Sequence, residues 1–156
     1  MATLARLPVR SRTTLRTSAR NMLSGIVTAI SHGPVNAEVG LLVNEHIVID
    51  ALVSNGCLAA LDLVAGGRAV ALINASFVTL LADTPDLRIS ARNLIGGTVV
   101  AVTEGPVDSE VVLAIGGGRE LAAIVTTHSL RELGLVTGGE ALACFKASHV
   151  ILAAET

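Results

Sequence analysis

The sequence repeats itself. A shift of 72 residues aligns SARNMLSGIVTAISHGPVNAEV (Ser18–Val39) with SARNLIGGTVVAVTEGPVDSEV (Ser90–Val111) without a gap, and the register holds to the last residue. Of the 67 pairs from Ser18–Thr84 against Ser90–Thr156, 29 are identical, more than shared composition produces. The chain therefore divides into a first module, 18–84, and a second, 90–156. A linker at 85–89 joins them and a basic segment, 1–17, precedes them; the joint falls near Asp83–Asp86, where ADTPD interrupts the apolar pattern. A unit of about 70 residues buries little surface alone, so each module is expected to lean on a partner face, and the chain on copies of itself.

Within the second module, short β-branched runs alternate with turn signals. GTVVAVT (Gly97–Thr103), SEVVLAI (Ser109–Ile115), ELAAIVT (Glu120–Thr126), EALACFK (Glu140–Lys146) and SHVILA (Ser148–Ala153) read as strands, with a hairpin turn at Gly116–Gly118. That glycine run is no phosphate loop, because no Gly-Lys-Ser/Thr follows it. HSLREL (His128–Leu133) reads as a short helix opened by Thr126 or Thr127 and closed near Gly134. The expected fold is all-β with one short helix per module: two tandem OB-like five-stranded antiparallel barrels.

Composition narrows the function. A formal net charge of -2 gives no electrostatic pull toward nucleic acid or an anionic membrane, and two Phe without Trp or Tyr leave no platform for base stacking. Neither a nucleic-acid nor a membrane partner is expected. Cys57 and Cys144 lack a CxxC spacing and read as buried thiols of a reducing compartment, so a cytoplasmic location is expected. The Arg-rich segment 1–17 has no apolar centre and is broken by Pro8; it reads as a disordered tail rather than a targeting signal.

Polar groups of one kind gather at three places. On a strand, Ser90 and Arg92 would project together around Ala91, and Lys146, the only lysine in the chain, with Ser148 around Ala147. Guanidinium, ammonium and hydroxyls are all donors, with no carboxylate among them, which describes an anion site. Thr126 and Ser129 have the spacing of an N-cap and its third helical residue, yet the usual Glu or Gln of a capping box is missing; an oxyanion would suit those amides where a glutamate would repel it. His32, His46, His128 and His149 show no metal-ligand spacing with one another or with the cysteines, so no metal-cation site is expected, and His149 beside the Lys-Ala-Ser run reads as a packed or solvated imidazole. No nucleophile, base and orienting group assemble into an enzyme.

The ordered set SARN, GPVNAEV, VTTHSLRELGL, GG and KAS resembles the Mop or molbindin family of TOBE-type molybdate-binding domains, over Ser18 to about Leu152. The tandem pair is similar to di-domain molbindins. The resemblance implies a non-enzymatic protein that stores or buffers molybdate, with tungstate as a mimic and no organic cofactor, assembled as a homotrimer. It also implies oxyanion sites between barrels and near threefold axes. One wall of an interface site would be Ser90, the Ala91 backbone and Arg92, or their counterparts Ser18, Ala19 and Arg20; the other would be Thr126, Ser129, Lys146, Ala147 and Ser148. Val35, Asn36 and Ala37 would line a threefold site, weakened in the second copy by Asp108 opposite Asn36. The first copy departs from the pattern, with Ser54 for Thr126, Cys57 for Ser129 and Asn74 for Lys146, while Ser76 keeps the place of Ser148. Two unequal classes of interface site are expected, the full one joining Ser18 and Arg20 to Lys146 and Ser129. The alternative function is a molybdate-sensing regulatory or chaperone module that docks to a transporter or a molybdenum-cofactor enzyme.

Overall fold

The computed structural model describes residues 15–82 and 86–154. Most of the basic tail and residues 83–85 of the predicted joint lie outside the described residues. The first copy runs β1 (Asn21–His32), β2 (Asn36–Leu42), β3 (Val48–Ser54), α1 (Asn55–Ala60), β4 (Arg68–Ile73), a 3-10 turn (Ala75–Phe77) and β5 (Thr79–Leu81). The second repeats that order: β6 (Asn93–Glu104), β7 (Asp108–Gly116), β8 (Arg119–Thr126), α2 (Thr127–Glu132), β9 (Glu140–Phe145), a 3-10 turn (Ala147–His149) and β10 (Ile151–Ala154). Among the described residues, no helix is long and apolar enough to cross a membrane.

Alternation decides which face of each strand is buried. Ala37, Val39 and Leu41 of β2, like Ser109, Val111 and Leu113 of β7, point inward at period two. The long first strand of each copy bends at a β-bulge, between Val27 and Ala29 and again between Val99 and Ala101, which lets one strand serve a curled sheet. Gly25 and Gly97 stand just before those bends, where a Cβ would collide with the carbonyl oxygen of Leu42 or Ala114. The turn between β7 and β8 uses Gly116, Gly117 and Gly118 at φ values of 95, 63 and 73°, as the glycine run predicts.

The two sheets do not coincide with the two copies. Their strand orders are β10-β4-β1-β2-β3 and β5-β9-β6-β7-β8, so each copy gives its last strand to the other's sheet. β10 pairs antiparallel with β4, from Ile151 opposite Leu72 to Ala154 opposite Ala69, and β5 pairs with β9 from Thr79 opposite Cys144 to Leu81 opposite Leu142. In both copies extended residues flank the 3-10 turn that leads into the last strand, and the chain runs on into its neighbour.

Buried aliphatic residues of both copies form one continuous core. Phe145 is buried in it, whereas Phe77 is exposed and stacks on His149, its counterpart in the repeat, with ring centroids 4.4 Å apart. Two asparagines tie the barrels together. Asn21 Nδ2 donates to the Ala122 carbonyl at 2.8 Å while its Oδ1 accepts from the Ala122 N–H at 2.7 Å; Asn93 grips Asp50 in the same way at 2.9 and 2.8 Å. Each asparagine thus extends the other barrel's strand by one peptide-like partner. Asn21→Ala is expected to cost about 2–4 kcal/mol, because it strands a buried N–H and C=O of Ala122. Urea unfolding measures this, and Asn21→Asp should not rescue it, since a carboxylate has no proton to give that carbonyl.

Candidate oxyanion site

The Ser-Ala-Arg segments are not strands. Ser18–Arg20 and Ser90–Arg92 are exposed bends that end where β1 and β6 begin, at the asparagine clamps. Lys146 likewise precedes the 3-10 turn Ala147–His149, closed by the His149 N–H on the Lys146 carbonyl at 3.0 Å. The same-face rule for residues two apart therefore governs neither set. What orients them is the clamp in one case and the turn in the other.

Strand exchange redistributes the second wall. The turn carrying Lys146, Ala147 and Ser148 leads into β10 and so packs against β3 of the first copy, which ends at Ser54. The turn carrying Asn74, Ala75 and Ser76 packs against β8, and Ser76 shares a surface hollow with Thr126, Ser129 and Glu132. Within one chain, then, the Lys146 turn packs on the first copy's β3, and the turn beside Ser129 is the one that carries Ser76. Each barrel sets one copy's third strand against the other copy's turn: β3, which runs into α1 at Ser54, against Ala147–His149, and β8 against Ala75–Phe77, where Ser76 joins Thr126 and Ser129.

The two composites differ in charge and in free donors. Lys146 makes no capping hydrogen bond and is exposed. Asn74 turns back on its own turn, its Oδ1 accepting from Ser76 N–H at 3.2 Å and from Ser76 Oγ at 3.0 Å, so it engages the hydroxyl that corresponds to that of Ser148. Glu132 borders the second hollow, where the first copy has Ala60. Thr126 is the N-cap of α2, as its spacing predicts, accepting from Ser129 N–H at 3.1 Å and donating to Ser129 Oγ at 2.9 Å. Ser54 caps α1 in the same way, on the Cys57 N–H at 3.1 Å. Cys57 is exposed rather than buried, while Cys144 is buried and its thiol is pushed above the ordinary range by desolvation.

Carboxylates, absent from the sequence reading of the site, sit beside both arginines. Arg20 Nη2 lies 3.4 Å from Glu110 Oε1. Arg92 Nε donates to Glu38 Oε1 at 3.0 Å and lies 3.7 Å from Asp50 Oδ2. Glu38 and Glu110 are repeat counterparts, but Asp50 corresponds to Ala122, so only the Arg92 side carries a second acid. Burial holds the Asp50 carboxyl above its ordinary value, opposed by Arg92 and reinforced by Glu38. The identities Asn21/Asn93 and Glu38/Glu110 are signals for this cluster in the sequence; Asp50 leaves none, because its repeat counterpart is Ala122.

At the proposed threefold residues, Val35 and Asn36 are exposed and Ala37 is buried at the start of β2. The Val35 carbonyl accepts from Asn55 N–H at 2.9 Å, and Asn55 Nδ2 donates to the Gly33 carbonyl at 2.8 Å. Asn55 Oδ1 is buried with no hydrogen-bond partner among the described residues. The second copy solves the same junction with Thr127, whose Oγ1 meets Ser109 Oγ at 2.8 Å; Ala37 stands where Ser109 does. Ala37→Ser should supply the missing donor and stabilise the protein by about 1 kcal/mol in thermal unfolding.

The TOBE domain model matches twice, at residues 17–80 and 89–152. The chain belongs to the TOBE-domain family. This TOBE pair is 44% identical over 140 residues to the molybdenum-pterin-binding protein MopA of Rhodobacter capsulatus, covering 90% of this chain and 53% of that protein. It is 40% identical over 139 residues to the molybdenum transport protein ModE of Azotobacter vinelandii, covering 89% and 51%. The pair therefore spans about half the length of these curated relatives. The solved structure of ModG, described as a cytoplasmic molybdate-binding protein with molybdate bound, superposes with a TM-score of 0.87 at 41% identity, covering 90% of this chain and all of that one.

Proposed function

We propose that this TOBE pair is a non-enzymatic molybdate-binding protein that stores or buffers the oxyanion, with tungstate as a mimic. The observation that supports the proposal is the packing of the Ala147–His149 turn, with Lys146 at its head, against β3, the strand that ends at Ser54. On this reading an ammonium, hydroxyls and backbone N–H groups would serve one anion without a carboxylate of their own. The names of MopA and ModG support the choice of anion. Ser18, Ala19 and Arg20 of a second copy would complete this site, so that two cations meet a dianion that is leaving water. Ser90, Ala91 and Arg92 would face the second composite, Thr126, Ser129, Asn74 and Ser76, which lacks the ammonium and carries Glu132. Binding between copies implies a homo-oligomer, for which a trimer is proposed, and the cytoplasm as its place of work.

Titration of the purified chain with molybdate, followed by native mass measurement, tests this. Two unequal site classes and an oligomer whose melting temperature rises with ligand are expected. A monomer that takes up no molybdate contradicts it. A second reading draws on the relatives named ModE, whose length is about twice the span matched here: the pair senses molybdate as a regulatory module and docks to a partner protein. Stoichiometric capture of one defined transporter or cofactor enzyme, with little bound molybdenum, would favour it over storage.

A further inference from the structure

We propose that Asp50 is a specificity-determining residue. With Glu38 it competes internally for Arg92, so that the two Ser-Ala-Arg walls, identical in sequence, take up oxyanion with different affinity. This rests on the molybdate reading above. Arg92 has two carboxylates within 4 Å, Glu38 at 3.0 Å and Asp50 at 3.7 Å, whereas Arg20 has one, Glu110 at 3.4 Å. The backbone that carries the second acid is held in place, because Asn93 binds both the N–H and the carbonyl of Asp50. Its side chain is only 18% exposed, so water screens it less than it screens Glu38 at 41%.

A dianion approaching Arg92 finds Nε already engaged by Glu38 and lies beside a second negative charge, that of Asp50. One approaching Arg20 meets a longer pair and, at the Asp50 counterpart, the methyl group of Ala122. The repeat preserves the cation in both copies while one substitution on the facing strand changes what that cation can do. Arg92 is already neutralised within the chain; Arg20 is closer to free.

Calorimetric titration with molybdate at low salt distinguishes the outcomes. In Asp50→Asn, which keeps the backbone clamp, the weaker class should tighten roughly fivefold to tenfold, and Glu38→Gln should move the same class in the same direction. The class that gains must be the one that Arg92→Ala abolishes. A wild-type isotherm in Asp50→Asn, with molybdate bound normally, would overturn the role of Asp50 while leaving the binding function intact. Wild-type protein that binds no molybdate would overturn the binding function, and this inference with it.

Discussion

A chain ending at His149 is expected to lose the first barrel, although every residue removed belongs to the second copy. β10 forms the edge of the sheet built on β4 and β1, and its approach contributes Val150 and Leu152, 3% and 7% exposed, to the core. Deleting two buried aliphatic side chains costs about 2–5 kcal/mol each, and four residues of ladder on β4 lose their partner as well. That approaches the whole stability of an ordinary domain, about 5–15 kcal/mol. Hydrogen exchange should show the amides of β4 and β1 losing protection first, with β6 to β8 retaining theirs longer. Loss confined to the second copy would mean that the strands are not exchanged.

Lys146→Ala should weaken one class of molybdate site by about tenfold to a hundredfold and leave the other unchanged, the cost of removing one charged hydrogen bond of about 1.5–3 kcal/mol. The reciprocal change is as informative. Asn74→Lys puts an ammonium on the turn that lacks one and breaks the Asn74–Ser76 contact, releasing the Ser76 hydroxyl. The weaker class should gain about tenfold, somewhat less than Lys146 supplies, because Glu132 remains at the edge of that hollow. Isothermal titration of both variants separates a composite site from a diffuse electrostatic effect, which would move both classes together and vanish in salt.

The elements themselves were legible because period-two burial and glycine turns are local: the runs at Ser109–Ile115 and Glu120–Thr126 fall inside β7 and β8, and Thr126 caps α2 as its spacing says. The strand expected at Ser148–Ala153 begins later, at Ile151, because Ala147–His149 closes a 3-10 turn first. Strand partnership is not encoded in a run of apolar residues, and nothing in ILAA distinguishes pairing with β4 from pairing with β9. For the same reason the residue types of the candidate site were legible while their grouping was not. A repeat suggests that equivalent residues of one copy act together, whereas the exchange sets the turn after Lys146 against β3 and Ser76 by Ser129. Glu110 beside Arg20 and Glu38 beside Arg92 come from the opposite barrel, 90 and 54 residues away along the chain, a distance no local pattern bridges.

The most direct measurement is anomalous diffraction at the molybdenum edge from crystals of the full chain grown with molybdate. A peak within hydrogen-bonding reach of Lys146 Nζ and of Ser54 at the end of β3, with Arg20 of a neighbouring copy on its far side, is the predicted result. A peak that joins Lys146 to Ser129, or crystals that hold no molybdenum near either 3-10 turn, would contradict the account.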